Sequence, residues 1–305
     1  MKETKNIVKD KPKRIKKSSP DTTKEKTKSV GNKYVTGKPL AWLLTLVYFA
    51  SYMTRKSYST VLAEVVTSTG IDKDTLSIVA VCMTVTYGLG QIINGRLSDK
   101  FKPTNMIYCG LIIATVVNVL FPFVSGSVVA MAIFWGINGF AQAMMWPPVV
   151  RILVANCDDE MYGYSVVRVS WGSSFATIAL YFIAPLLIML TGSWKTMFFV
   201  SAVIGLCMTV FWSFIKRRVN VVVPEDSGDT QAGNAPKSKF RIPRAAIFPL
   251  IFIVLGIIFQ GMLRDGVAIW MPTYLLDVHS MASTGAIFSG VFPAVFSILC
   301  FSFCF

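Results

Sequence analysis

Long hydrophobic runs alternate with short polar segments along most of the chain. Eight runs are long enough to cross a lipid bilayer as α-helices, which need about 20 mainly apolar residues each. They cover residues 39–66, 75–95, 105–124, 127–150, 163–190, 194–215, 246–276 and 281–305. A hydrophilic linker, 216–245, separates the first six runs from the last two. The pattern predicts an all-α polytopic membrane protein with a six-helix bundle at 39–215 and the first two helices of a second bundle at 246–305.

Composition supports this class and explains the net charge of +14. Hydrophobic residues make up 53% of the 305 positions and charged residues only 15%, against about 25% in soluble domains. Residues 1–38 contain thirteen Lys or Arg and four acidic residues, in a segment poor in apolar side chains. We expect this segment to be a disordered basic tail that lies near anionic lipid headgroups, and we expect no nucleic-acid partner.

The Lys and Arg residues also predict the orientation in the membrane, because they are enriched in cytoplasmic loops. The tail, the linker and the even-numbered connections hold 24 of the 30, whereas the opposite loops hold only Lys73 and Lys195. The amino terminus and the linker are therefore predicted to be cytoplasmic, in a multi-pass protein of the cell membrane.

No residue pattern favours catalysis. The six cysteines are scattered without a CxxC pair, and His279 has no partner at metal-ligand spacing. We therefore expect neither an enzyme nor a bound metal or cofactor.

The remaining basic residues, Arg55, Lys56, Arg168 and Arg264, lie inside hydrophobic runs. An arginine at the centre of a membrane helix costs ~2.5–3.5 kcal/mol on insertion scales, so it tends to face a cavity and mark a functional pathway. Arg55 and Arg264 are 209 residues apart, and the same offset places the second run at 284–304, where the eighth run occurs. The chain thus predicts two parallel repeats, and transporters of this kind bind substrate where their repeats meet.

Two motifs carry a family resemblance. The segment NGRLSDKFKP (Asn94–Pro103) resembles the loop between the second and third helices of the major facilitator superfamily, where Gly95 would permit close helix approach and Asp99 and Lys100 would anchor the loop. NGFAQAMMWPPVVR (Asn138–Arg151) is similar to the fourth helix of the organophosphate:inorganic phosphate antiporters within that superfamily. The structural residues of this motif are Trp146, Pro147 and Arg151.

Three further motifs resemble the binding helices of the same antiporters. YFASYMTRK (Tyr48–Lys56) matches two tyrosines followed by a substrate-binding arginine, YGLGQ (Tyr87–Gln91) contains a third tyrosine, and LRDGVAIWMPTYL (Leu263–Leu275) contains a second binding arginine. The resemblance implies a major facilitator fold and exchange of glycerol 3-phosphate or a sugar phosphate for inorganic phosphate. It assigns substrate binding to Arg55, Arg264, Tyr48, Tyr52 and Tyr87.

The chain departs from the family pattern at two positions. Gln91 stands where glycerol-phosphate members have a lysine, and Trp171 aligns with their fifth-helix histidine. Arg168, one helical turn from Trp171, either replaces the lost positive charge or extends toward the inner surface. All three are candidate substrate-binding residues.

The candidate residues suit a phosphate ligand chemically. A guanidinium group stays charged and matches phosphate oxygens with two parallel hydrogen bonds. A phosphate monoester carries about −1.5 to −2 charge at pH 7, which two arginines nearly neutralise. Tyr48 and Tyr52, four residues apart, share a helix face that Arg55 continues.

Other functions stay open. A sensor of phosphorylated solutes would have the same binding residues, whereas a cation or proton transporter would need buried carboxylates, of which Asp265 is the one deep in a span. Six spans in the first repeat imply six in the second, so we expect these 305 residues to be a truncated fragment that does not transport alone. The whole protein is expected to be monomeric.

Overall fold

The computed structural model describes residues 34–220 continuously and scattered positions from 248 to 295. Nearly all of the predicted tail, most of the linker and most of the seventh and eighth runs lie outside the described residues. The helices of residues 34–220 are α1 (Lys38–Thr69), α2 (Lys73–Lys100), α3 (Pro103–Leu120), α4 (Val128–Gln142), α5 (Trp146–Asn156), α6 (Asp159–Thr191) and α7 (Lys195–Ile215).

These helices confirm the six hydrophobic runs predicted before the linker, with one run divided in two. The fourth run contains α4, a turn at residues 143–145, and then α5. Pro147 and Pro148 occupy the first turn of α5 and have no N–H group to continue the hydrogen bonds of α4. The WPP sequence therefore begins a new helix inside the membrane-spanning segment.

The predicted connections at 96–104 and 151–162 are too long. Only residues 101–102 connect α2 to α3, and only residues 157–158 connect α5 to α6. The hydrophobic runs are shorter than the helices, because the last turns of α2 and α5 contain polar residues that remain helical. Extended residues end both helices, Phe101 after α2 and Cys157 after α5.

Five segments of the described residues are long and apolar enough to cross a membrane. They begin at Lys73, Pro103, Val128, Asp159 and Lys195. The helix α1 has 32 residues, more than a bilayer requires, but its hydropathy is lowered by hydroxyl side chains and by Arg55 and Lys56. Together these helices describe a multi-pass membrane protein.

Small residues bring the helices into close contact. The helix α1 packs along α6 and α7, α2 packs along α4, and α3 packs against α7. A Cβ atom at Gly139 would collide with the Met83 carbonyl oxygen, and one at Gly90 would lie 2.7 Å from the Ala143 Cβ. The Gly139 and Ala143 pair therefore makes a small-residue contact between α4 and α2. Among the described residues, nothing lies within 4 Å of a Cβ added at Gly95, so the close approach expected there stays a prediction.

Hydrogen bonds between distant segments identify one end of the bundle. The Val35 N–H donates to the Arg218 carbonyl, and the Trp212 Nε1–H donates to the Thr104 carbonyl at 2.9 Å. The starts of α1 and α3 and the end of α7 therefore lie together. We call this the basic end, because Lys38, Lys100, Lys102, Lys216, Arg217 and Arg218 occur there.

The interior has two apolar clusters with a polar layer between them. Nearer the basic end, Leu44 and Val47 of α1 pack with Trp212. Toward the opposite end, Tyr58 and Val61 of α1 pack in a second cluster with residues of α2, α4 and α7. Between them, α1 contributes buried hydroxyl side chains. This is the level of the helix that contains Arg55.

Candidate anion-binding site

Arg55 lies in the middle part of α1, 17 residues after its first residue, or about 25 Å along the axis at 1.5 Å per residue. Its side chain is half-buried, whereas Thr54 and Ser57 beside it are fully buried. The arginine is therefore at the edge of the packed interior and not at a helix terminus. This position agrees with the predicted place of Arg55 inside a hydrophobic run.

The three predicted tyrosines lie beside Arg55 in a row of rings, where Tyr52 and Tyr87 contact it and Tyr48 contacts Tyr52. The Arg55 Cζ atom lies 4.0 Å from the centre of the Tyr87 ring and 5.3 Å from the centre of the Tyr52 ring. The centre of the Tyr52 ring is 5.2 Å from that of Tyr48, which is 5.5 Å from that of Trp146. The structure therefore brings four predicted binding residues together, and Trp146 of the structural motif extends the row at the start of α5.

The rings hold the guanidinium without neutralising it. A cation over an aromatic face gains about 0.5–2 kcal/mol, and the N–H groups at the edge of the guanidinium stay available to a ligand. Within the described residues, the groups interacting with Arg55 are tyrosines, with no carboxylate in ion-pair contact. Arg55 thus offers a positive charge and directed donors to an anion.

A buried network of polar side chains fixes the part of α1 that carries Arg55. This polar layer comprises Ser51, Thr54 and Ser57 of α1, Asn118 of α3, and Asn138 and Gln142 of α4. The Thr54 carbonyl accepts hydrogen bonds from Asn118 Nδ2 at 2.9 Å and from Asn138 Nδ2 at 3.0 Å. Gln142 Nε2 donates to the Thr54 hydroxyl at 3.0 Å.

The polar layer was not predicted from the sequence. Its amides stand singly in apolar runs, where each one is compatible with a lipid-facing, a packed or a ligand-binding position. Asn118 lies on α3, whereas Asn138 and Gln142 lie on α4, so only the fold shows that all three meet at Thr54 of α1. Buried polar groups without partners are costly, and here the amides of α3 and α4 find partners in the Ser51, Thr54 and Ser57 groups of α1.

The other candidate residues lie in different surroundings. Gln91 follows Tyr87 by four residues on α2, and its Nε2 atom is buried without a hydrogen-bond partner in the described part of the chain. Arg168 does not contact the tyrosine row. Its Cζ atom lies 4.1 Å from the centre of the Trp171 ring, which places these two candidates together, away from Arg55.

Arg264, the predicted partner of Arg55, lies outside the described residues, and so does the side chain of Asp99. Lys100 is exposed at the end of α2, Pro147 is in the first turn of α5, and Arg151 is half-buried one turn later. The structure therefore describes one of the two predicted binding arginines, and Lys100 and Pro147 lie at helix ends.

Comparison with known proteins places the chain in a family. The family model described as Major Facilitator Superfamily matches residues 44–305. The fold resembles the crystal structure of a bacterial homologue of the human lysosomal transporter Spinster in an inward-facing conformation. The TM-score is 0.64 and the identity 14%, over 85% of this chain and 59% of that chain.

Two of the curated relatives described next are named as transport proteins for phosphorylated solutes, and a third is named as a membrane sensor protein. The chain is 26% identical over 260 residues to the glycerol-3-phosphate transporter of Bacillus subtilis, covering 77% of this chain and 56% of the relative. It is 35% identical over 108 residues to a probable hexose phosphate transport protein of Chlamydia trachomatis, covering 35% of this chain and 24% of the relative. It is 34% identical over 110 residues to the membrane sensor protein UhpC of Salmonella typhimurium, covering 36% and 25%. The chain thus spans about half the length of the first of these relatives, and by the match over 44–305 it belongs to the major facilitator superfamily.

Proposed function

We propose that the whole protein is a carrier of the cell membrane that exchanges a phosphorylated small organic solute for inorganic phosphate by alternating access. The observation that carries this proposal is the Arg55 guanidinium, held in mid-helix by the rings of Tyr52 and Tyr87 without a carboxylate partner among the described residues. The relatives named as transporters of glycerol 3-phosphate and hexose phosphate support the solute class. The basic end, with the amino terminus, is assigned to the cytoplasm by the distribution of Lys and Arg.

Arg55 provides the phosphate-binding group in this proposal. Its donors bind two phosphate oxygens, and hydrogen bonds to charged groups contribute about 1.5–3 kcal/mol each. The Tyr48, Tyr52 and Tyr87 hydroxyls add neutral donors next to it. Arg264, the corresponding residue of the second repeat, supplies the second positive charge from the other side of the site.

Electrostatics explains why exchange is favoured over one-way transport. Two unpaired guanidinium groups repel each other and lose hydration when an empty site closes, so closing without an anion is costly. A bound phosphate dianion offsets both charges and allows the two repeats to rock around it. Since the return step requires an anion as well, each outward phosphate is matched by an inward phosphorylated solute.

Counterflow in proteoliposomes tests the proposal. Vesicles containing the whole protein, encoded by its native gene, are loaded with radiolabelled inorganic phosphate and diluted into glycerol 3-phosphate or glucose 6-phosphate. We expect label to leave only when phosphate or a phosphate ester is present outside. Efflux at the same rate into buffer without any phosphate compound would contradict obligatory exchange.

A sensor of phosphorylated solutes is the second candidate, favoured by the similarity to membrane sensor protein UhpC. A sensor has the same reason to keep an uncompensated arginine, because it must bind the same anion. The counterflow experiment separates the two functions when it is paired with equilibrium binding of the same compounds. Binding without release of the label would identify a sensor.

A further inference from the structure

A second cluster of a cation with aromatic rings lies nearer the basic end of the bundle. The Arg168 Cζ atom lies 4.1 Å from the centre of the Trp171 ring, 5.0 Å from that of Tyr164 and 5.4 Å from that of Trp42. The Lys38 Nζ atom lies 6.0 Å from the Tyr164 ring. We call Arg168, Trp171, Tyr164, Trp42 and Lys38 the inner cluster.

The inner cluster is distinct from the Arg55 site. Each site includes a residue of α1, Trp42 in the inner cluster and Arg55 in the other site. These two positions are 13 residues apart, or about 20 Å along the helix axis. One phosphate group is far too small to bind both guanidiniums, so Arg168 does not replace a charge missing from the Arg55 site.

The inner cluster has charge and donors that the described protein leaves unused. Arg168 and Lys38 contact aromatic rings, and neither is in ion-pair contact with a carboxylate of residues 34–220. Arg168 is half-buried, and the stacking leaves the N–H edge of its guanidinium available. The Trp171 Nε1–H is buried without a hydrogen-bond partner among the described residues, although such a donor normally has one.

We propose that the inner cluster is a second anion-binding station, which takes a phosphate group at the basic end of the bundle. Arg168 binds the phosphate oxygens, the Trp171 N–H donates one further hydrogen bond after a small ring adjustment, and Lys38 attracts the anion from solution. The inference rests on the proposed function for its biological role, since the station would concentrate the transported anion at the cytoplasmic mouth. A lipid headgroup carries the same phosphate chemistry and is the other source of the ligand.

Binding of labelled inorganic phosphate to the purified whole protein, in a detergent without phosphate, tests this proposal by stoichiometry. We expect two phosphates per wild-type chain and one in each of the variants Arg55→Gln and Arg168→Gln. Arg217→Gln removes an exposed arginine at the basic end and is the matched control, with two phosphates expected. Wild-type stoichiometry and affinity in Arg168→Gln would overturn the proposal. If Arg168→Gln lost bound phosphate while Arg55→Gln bound as much as wild type, the station would stand and the Arg55 site would be contradicted.

Trp171→Phe provides a milder variant in case Arg168→Gln is unstable. Phenylalanine keeps a ring under the guanidinium and removes only the indole N–H. In an Arg55→Gln background, we expect it to weaken binding of the remaining phosphate about tenfold, and unchanged affinity would overturn the role of this donor. In the same background, displacement of label by glycerol 3-phosphate assigns the station to the solute. Displacement only by a short-chain phosphatidylglycerol assigns it to the headgroup.

Discussion

At the scale of single residues, the protein holds Arg55 with aromatic rings and not with carboxylates. A carboxylate partner would neutralise the guanidinium and compete with an incoming phosphate. The Tyr87 ring, 4.0 Å from the Arg55 Cζ, stabilises the cation through its π-face and leaves the charge uncompensated. The arrangement suits the proposed anion site, and the ring contacts lower the cost of placing a charge in an apolar helix bundle.

This arrangement gives a prediction for the Tyr87 hydroxyl. Tyr87→Phe keeps the ring under Arg55 but removes a donor to phosphate. Because a hydrogen bond to a charged group contributes about 1.5–3 kcal/mol, we expect the KM for phosphate exchange to rise roughly tenfold to a hundredfold. The measurement is initial exchange rate against phosphate concentration. The control is Tyr108→Phe, which should leave KM unchanged because the Tyr108 ring contacts Lys216 at the basic end. A wild-type KM in Tyr87→Phe would exclude the Tyr87 hydroxyl from phosphate binding.

At the scale of helices, close packing fixes where α1 presents Arg55. A Cβ atom at Gly172 of α6 would lie 2.5 Å from the Thr45 carbonyl oxygen of α1, ten residues before Arg55. The helices therefore touch through their backbones at this point. On the next turns of α1, the polar layer anchors Thr54 to α3 and α4.

A pair of glycine variants on the same helix tests this packing. Gly172→Ala is expected to lower the free energy of unfolding by about 1–3 kcal/mol, because backbone atoms must move apart to admit the methyl group. Gly163→Ala, where nothing lies within 4 Å of an added Cβ, should be neutral or raise stability by about 0.5–1 kcal/mol. Thermal denaturation of the detergent-purified variants measures the difference. Equal melting temperatures would show that α1 and α6 are not packed as described.

The sequence predicts the helices better than their contacts. The hydrophobic runs identify six spans. The family motifs group Arg55 with Tyr48, Tyr52 and Tyr87, and the spacing of Tyr48, Tyr52 and Arg55 puts those three on one helix face. Helix ends are less predictable, since polar turns such as those before Lys100 remain helical. The polar layer and the separation of Arg168 from Arg55 depend on which helices are neighbours, and no periodicity within one helix contains that information.

At the scale of the whole molecule, the proposed carrier needs two repeats that each supply one arginine. The described bundle contains Arg55 in a half-buried position, and the 209-residue offset assigns the same position in the second repeat to Arg264. In the proposed mechanism, an anion bound between the two arginines joins the repeats, whereas charge repulsion keeps the repeats apart when the site is empty. The proposed mechanism therefore attributes transport to the whole protein and not to one bundle.

The decisive experiment for the two-arginine site is exchange of labelled phosphate by Arg→Lys variants. Lysine keeps the positive charge but loses the two parallel donors of the guanidinium, so charge alone cannot rescue the site. Proteoliposomes with Arg55→Lys, Arg264→Lys or the exposed control Arg217→Lys are compared with wild type at equal protein content. We predict that exchange falls at least a hundredfold in each of the first two variants and is unchanged in the control. Wild-type exchange in either Arg55→Lys or Arg264→Lys would contradict the account.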